Sequence, residues 1–133
     1  MNCLLIDDDS DDRDFFSMAL EELALKVSLK TANNGIEVLE FLKQTQYKPD
    51  VIFIDINTPR MDGWECLAEI KKIDRLHTVP VVIYTTSENY FRPSDLKDRG
   101  VMEHVTKQPG ISSLVNLLET VFERINKRKT YAD

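Results

Sequence analysis

Asp7-Asp8-Asp9, Asp55, Thr85-Thr86 and Lys107 are the side chains here whose types suggest chemistry. Carboxylates brought together repel unless a cation or a proton offsets them. Two or three of them suit a hard divalent cation. Mg²⁺ in particular takes one or two carboxylates, keeps several waters and accepts a phosphate oxygen. A carboxylate beside such an ion and a hydroxyl can act as a nucleophile toward phosphorus. An ammonium nearby would offset charge on the group in transfer. Taken singly, the residues have plainer readings. Asp7, Asp8 and Asp9 would suit any helix N-terminus, which favours acids, and Lys107 would pass for a surface lysine. The chemistry requires a fold that gathers all four stretches.

Apolar runs bounded by turn signals alternate with helical periodicity along the chain. Cys3–Ile6 reads as a buried strand. Asp11–Ala24 reads as a helix with Phe15, Met18, Ala19, Glu22 and Leu23 on a mixed stripe, and Ser10 or Asp11 as its N-cap. Val27–Thr31 is a second strand, broken by Asn33-Asn34-Gly35. Ile36, Leu39, Phe41 and Leu42 mark the next helix. Asp50–Ile54 is the most apolar strand, Trp64–Lys72 a helix, and Pro80–Tyr84 a Val/Ile strand. Pro93 permits a helix to start, and Gly100 ends it. His104–Thr106 is a short strand. Ser112–Asn126 carries Leu114, Leu117, Leu118, Val121 and Ile125 at helical spacing. Lys127, Arg128 and Lys129 then read as a solvated helix end.

The order is βα, five times over. Strands that are apolar without alternation are buried on both faces, which predicts a parallel sheet with helices on both sides. In such a sheet, ligands bind beyond the carboxyl ends of the strands. Asp7, Asp55, Thr85 and Lys107 all follow strand ends, so the four stretches are expected to converge on one edge.

The 133 residues suit one domain, and the net charge of −6 argues against a general nucleic-acid binder. No apolar stretch approaches a membrane span, and no targeting segment is visible. Cys3 and Cys66 lack a metal-like spacing and read as small buried thiols. A reducing cytoplasm is the expected compartment.

Leu4-Leu5-Ile6-Asp7-Asp8-Asp9, Asp55-Ile56-Asn57-Thr58-Pro59-Arg60-Met61-Asp62-Gly63, Val82-Ile83-Tyr84-Thr85-Thr86 and Thr106-Lys107 together resemble the receiver domain of two-component response regulators. The resemblance covers roughly residues 2–124. It implies an α/β fold, (βα)5 and flavodoxin-like, with five helices on both faces of a sheet ordered 2-1-3-4-5. Residues 1–133 would form a single receiver domain with no output domain. The resemblance also implies roles. Asp55 would be the phospho-acceptor. Asp8 would ligate Mg²⁺ directly, and Asp7 directly or through water. Asp55 and the backbone carbonyl of Asn57 would complete the metal's protein ligands. Thr85 and Lys107 would each bind a phosphoryl oxygen. Pro59 and Gly63 would shape the loop after the acceptor. The phosphodonor would be a histidine kinase or histidine phosphotransfer protein, with acetyl phosphate as a small substitute. Output would pass through an unknown downstream protein.

Three positions depart from the family pattern. His104 occupies the switch position, three before the lysine, where Tyr or Phe is usual. It would swing with Thr85, and as a histidine it titrates near neutrality. Gln108 separates Lys107 from Pro109, where the family joins lysine to a cis proline. A cis bond before a non-proline costs about 2.5–4 kcal/mol. The bond is therefore either trans, shifting the loop and the lysine's reach, or held cis under strain. Thr58 replaces a commonly apolar residue. Asn57 and Ser87 would flank the hydrolytic water, and neither is a strong base, so autodephosphorylation that is not especially fast is expected. Trp64, just after the acceptor loop, is expected to respond modestly, if at all, to Mg²⁺.

Other readings of the same residues fare less well. A phosphatase of the haloacid dehalogenase type needs an acid two residues after its nucleophile, where Asn57 stands. A flavodoxin-like electron carrier needs a phosphate loop where Asp7-Asp8-Asp9 would repel phosphate. A receiver-like binding module that is never phosphorylated is the main alternative. On the resemblance, output uses the face made by the fourth helix, fifth strand and fifth helix, with Tyr90, Phe91, His104 and Gln108 as exposed candidates.

Overall fold

The computed structural model describes residues 1–57, 61–86 and 91–131, the side chains of the last three excepted. Thr58, Pro59, Ser87 and Tyr90 lie outside them. The strands are β1 (Asn2–Ile6), β2 (Ser28–Ala32), β3 (Val51–Ile54), β4 (Val81–Thr85) and β5 (Glu103–Thr106). The helices are α1 (Ser10–Glu21), α2 (Gly35–Gln44), α3 (Gly63–Lys71), α4 (Pro93–Asp98) and α5 (Ile111–Tyr131). The sheet runs β2-β1-β3-β4-β5 with every pair parallel. This is the α/β architecture the alternation of elements predicts.

Side chains on a strand alternate between its faces, and both faces of this sheet are covered. Leu4, Ile6, Ile52, Ile54, Val81 and Ile83 join Val38, Leu42, Cys66, Leu67 and Ile70 from α2 and α3 in one core. Cys3, Leu5, Val51, Phe53, Val82 and Tyr84 join Phe16, Ala19 and Leu20 of α1 and Leu114, Leu118, Val121, Phe122 and Ile125 of α5 in the other. Phe16 sits edge-on to Phe53 and Tyr84, at 5.1 and 5.6 Å between ring centroids, a favourable aromatic geometry. Cys3 and Cys66 are free and buried, as expected. Among the described residues, no helix is long and apolar enough to cross a membrane.

Several element ends differ from the sequence pattern. α1 stops at Glu21 rather than Ala24, and its buried face is Phe16, Ala19 and Leu20. Met18, placed on the stripe, is 57% exposed. The N-cap is Asp9, not Ser10 or Asp11, because the Asp9 carboxylate reaches the backbone N–H groups of Asp11 and Asp12 at 2.9 and 3.3 Å. α5 continues to Tyr131, so Lys127 and Arg128 are helical. A 3-10 turn at Asp74–Leu76 was not anticipated. Pro93 does open α4, and Gly100 follows its end with a φ of 76°, a left-handed conformation suited to glycine.

Candidate functional site

Strand register assembles the site. Ile6 pairs with Ile54, so Asp7 and Asp55 are the next residues on neighbouring strands. The Asp55 N–H donates to the Ile6 carbonyl at 2.9 Å, which fixes the junction. On the other side Thr85 pairs with Thr106, and the Lys107 N–H donates to the Thr85 carbonyl at 2.6 Å. The two strand pairs therefore present their polar ends on one edge.

The side chains meet there. Asp7 is fully buried, and its Oδ1 accepts the Asp9 N–H at 3.0 Å. Asp55 is also buried. Its Oδ1 accepts the Asn57 N–H at 3.0 Å, and its Oδ2 accepts Lys107 Nζ at 2.9 Å. The same ammonium donates to Asp12 Oδ2 at 2.7 Å. It lies 2.9 Å from Asp7 Oδ2, but without the directionality of a hydrogen bond, so we treat this as a charge contact. Lys107 thus reaches the acidic cluster from a peptide that is not cis. Gln108 does not draw it away: the Gln108 side chain donates instead to the Thr106 carbonyl at 2.8 Å.

Electrostatics follow from this packing. Burial pushes the Asp7 carboxyl upward, against the Asp9 N–H and Lys107, which favour its charged form. Burial alone would lower the Lys107 ammonium. Its hydrogen bonds with Asp12 and Asp55 and the proximity of Asp7 more than reverse that and hold it firmly protonated.

The donor set suits a hard cation. Asp7, Asp8 and Asp55 each offer an oxygen, all within 4.8 Å of one another. Asp7 Oδ2 is buried and has no hydrogen-bond donor, although buried polar atoms are normally satisfied. A carboxylate oxygen left so is suited to a metal bond. An oxygen-only set matches Mg²⁺ or a similar ion better than zinc or copper.

Thr85 and His104 lie on the far side. Thr85 Oγ1 is 3.0 Å from His104 Nε2 and donates to the Thr86 carbonyl at 3.2 Å. The His104 ring packs edge-on against Phe91, with centroids 4.8 Å apart. Phe91 in turn meets Trp64 at 5.5 Å, and the Arg99 guanidinium lies over Trp64 at 4.5 Å. No sequence motif signals this stack, because its members are far apart along the chain. Phe91, His104 and Gln108 are half-buried rather than fully exposed.

Burial lowers the His104 pKa. An unfolded histidine titrates near 6.5. Between the folded and unfolded values the unfolded chain binds more protons, so stability rises with pH in that window. The His104 contribution is complete above about pH 6.5 and is lost as pH falls through the folded value. Chemical denaturation across this range is expected to show that slope in the wild type and a flatter one in His104→Phe.

Gly63 opens α3 and packs against Ile56. A Cβ there would lie 2.3 Å from Ile56 Cα, and backbone cannot yield cheaply. Gly63→Ala is expected to cost about 1–3 kcal/mol, seen as a lower thermal midpoint, and to disturb the chain just after Asp55.

A parallel sheet of this order, bearing carboxylates and a lysine at its C-terminal edge, defines a flavodoxin-like α/β domain with an acidic cluster. Residues 3–119 match the Response regulator receiver domain, and the chain belongs to that family. It is 34% identical over 104 residues to the Helicobacter pylori sensor histidine kinase CheAY, covering 78% of this chain but only 13% of that protein. It is 29% identical over 123 residues to the response regulator Rcp1 of Synechocystis, covering 89% of this chain and 84% of Rcp1. The crystal structure of Rcp1 in its Mn2+-bound form aligns with a TM-score of 0.70 at 27% identity, over 98% of this chain and 92% of that one. The phosphorylated cyanobacterial phytochrome response regulator RcpA aligns with a TM-score of 0.76 at 30% identity, over 92% of this chain and 91% of that one.

Proposed function

We propose that this chain is a phospho-accepting response regulator of a two-component system, taking a phosphoryl group on Asp55. The observation that carries this reading is the position of Asp55: it shares one oxygen cluster with Asp7 and Asp8 while Lys107 grips its other side. A nucleophilic carboxylate needs both kinds of help, since the incoming group brings more negative charge.

In the proposed reaction a carboxylate oxygen of Asp55 forms a bond to phosphorus as the bond to the donor breaks. The electron pair leaves with the donor, a histidine imidazole of a kinase or phosphotransfer protein. Lys107 and the Thr85 hydroxyl bind oxygens of the transferred group. Asp7, Asp8, Asp55 and the Asn57 carbonyl would hold Mg²⁺, which when bound supplies charge compensation. The Asn57 N–H keeps one Asp55 oxygen oriented. The chain's chemistry is confined to its own phosphorylation and dephosphorylation. Its output is contact with another protein when Thr85 and His104 move, a population shift that needs a partner with unequal affinity for the two states. The acidic charge fits protein partners rather than nucleic acid, and a cytoplasmic setting fits a phosphorelay.

The test is incubation with Mg²⁺ and acetyl phosphate, followed by intact mass. One added phosphoryl group supports the proposal. No gain with acetyl phosphate or with any histidine donor would favour a receiver-like module that is never phosphorylated.

A further inference from the structure

The acidic residue closest to Lys107 is neither Asp7 nor Asp55. Asp12 Oδ2 accepts from Nζ at 2.7 Å, shorter than the 2.9 Å to Asp55 and to Asp7. Asp12 stands in the first turn of α1 and lies outside the oxygen cluster of Asp7, Asp8 and Asp55. Its side chain is 37% exposed, whereas that of Asp7 is fully buried. It thus belongs to the lysine and not to the candidate metal site.

The first turn of α1 is itself anchored. Asp9 caps it through the N–H groups of Asp11 and Asp12, and Arg13 donates to the Asp7 carbonyl at 2.8 Å. Asp12 therefore approaches Lys107 from a rigid support. At its other end the lysine backbone is held by the Thr85 carbonyl. An ammonium has three donors. Here one goes to Asp55 and one to Asp12, and the third faces Asp7 as a charge contact only.

We propose that Asp12 is a positioning residue that tethers Lys107 for phosphoryl transfer; this rests on the reading of Asp55 as acceptor. When a phosphoryl group reaches Asp55, one Lys107 donor must leave the carboxylate for a phosphoryl oxygen. The bond to Asp12 holds the ammonium within reach during that exchange. A flexible lysine without it would sample other rotamers, and correct placement of a charged group carries a large share of rate.

The test is a double-mutant cycle on the full chain, with phosphorylation by acetyl phosphate followed by intact mass. Asp12→Ala is expected to slow phosphorylation about tenfold, and Asp12→Glu, which keeps the charge, to recover most of the rate. Mg²⁺ affinity, read by thermal shift, should hold in Asp12→Glu and weaken far less in Asp12→Ala than in Asp7→Asn, since Asp12 lies outside the oxygen cluster. In a Lys107→Ala background, Asp12→Ala should have no further effect, because a residue acting through another loses its role when that partner is gone. An unchanged or faster rate in Asp12→Ala overturns the proposal, as does an equal slowing in the Lys107→Ala background. If the wild type is phosphorylated and only these expectations fail, the acceptor reading survives. If the wild type takes no phosphoryl group, both fall.

Discussion

Lys107→Ala is expected to slow phosphoryl transfer to Asp55 by about 100-fold while strengthening the binding of Mg²⁺. The two effects have opposite signs for one reason. Lys107 is the cation that three aspartates share, at 2.7–2.9 Å. In the proposed transfer it would stabilise charge on the moving group, and its loss would remove that help. In the resting protein it would compete with a divalent ion for the same carboxylates. Removing a unit charge a few ångströms away should tighten the ion by about tenfold. Without metal the variant should lose about 3 kcal/mol of stability, since breaking a buried pair leaves its partner's charge uncompensated, and Asp7 and Asp55 are both buried. Initial rates, Mg²⁺ titration and thermal unfolding with and without Mg²⁺ separate the three effects. Weaker metal binding in Lys107→Ala would contradict this account of the charge balance.

Asp7→Asn is expected to weaken Mg²⁺ binding by about 100-fold, because it removes one full charge from a site of three. A ligand that binds only the folded state raises the unfolding temperature in proportion to the logarithm of its concentration over Kd. Mg²⁺ should therefore stabilise the wild type clearly and Asp7→Asn little. The comparison with Asp9 sharpens this. Asp9→Ala removes the α1 cap and should cost about 1 kcal/mol without weakening the response to Mg²⁺, since the Asp9 carboxylate faces helix amides. Equal loss of the Mg²⁺ response in both variants would mean that the acidic run acts only as diffuse charge.

Much of this arrangement was legible before any coordinates, for identifiable reasons. Parallel strands buried on both faces leave a strong pattern in the chain, and a residue after such a strand has a known destination. Asp7, Asp55, Thr85 and Lys107 were readable in that way. Asp12 was not. An acid in a first helical turn already has a sufficient cause in the macrodipole, and its contact with Lys107 spans 95 positions. The aromatic stack of His104, Phe91 and Trp64 was hidden for the same reason. Helix ends slid by one to five residues because capping depends on which side chain reaches an amide, as Asp9 shows. Gln108 in place of the usual proline does not withdraw the lysine, because a trans bond still delivers Lys107 to Asp55.

We propose that Asp55, among several clustered carboxylates, receives the phosphoryl group. Trapping the acyl phosphate with borohydride reduces the modified aspartate to homoserine, which peptide mass mapping can locate. Wild type treated with acetyl phosphate and Mg²⁺ should yield homoserine at position 55, and Asp55→Asn should yield none anywhere. Homoserine at position 7, 8, 9 or 12, or an Asp55→Asn protein labelled as fully as the wild type, would contradict the account.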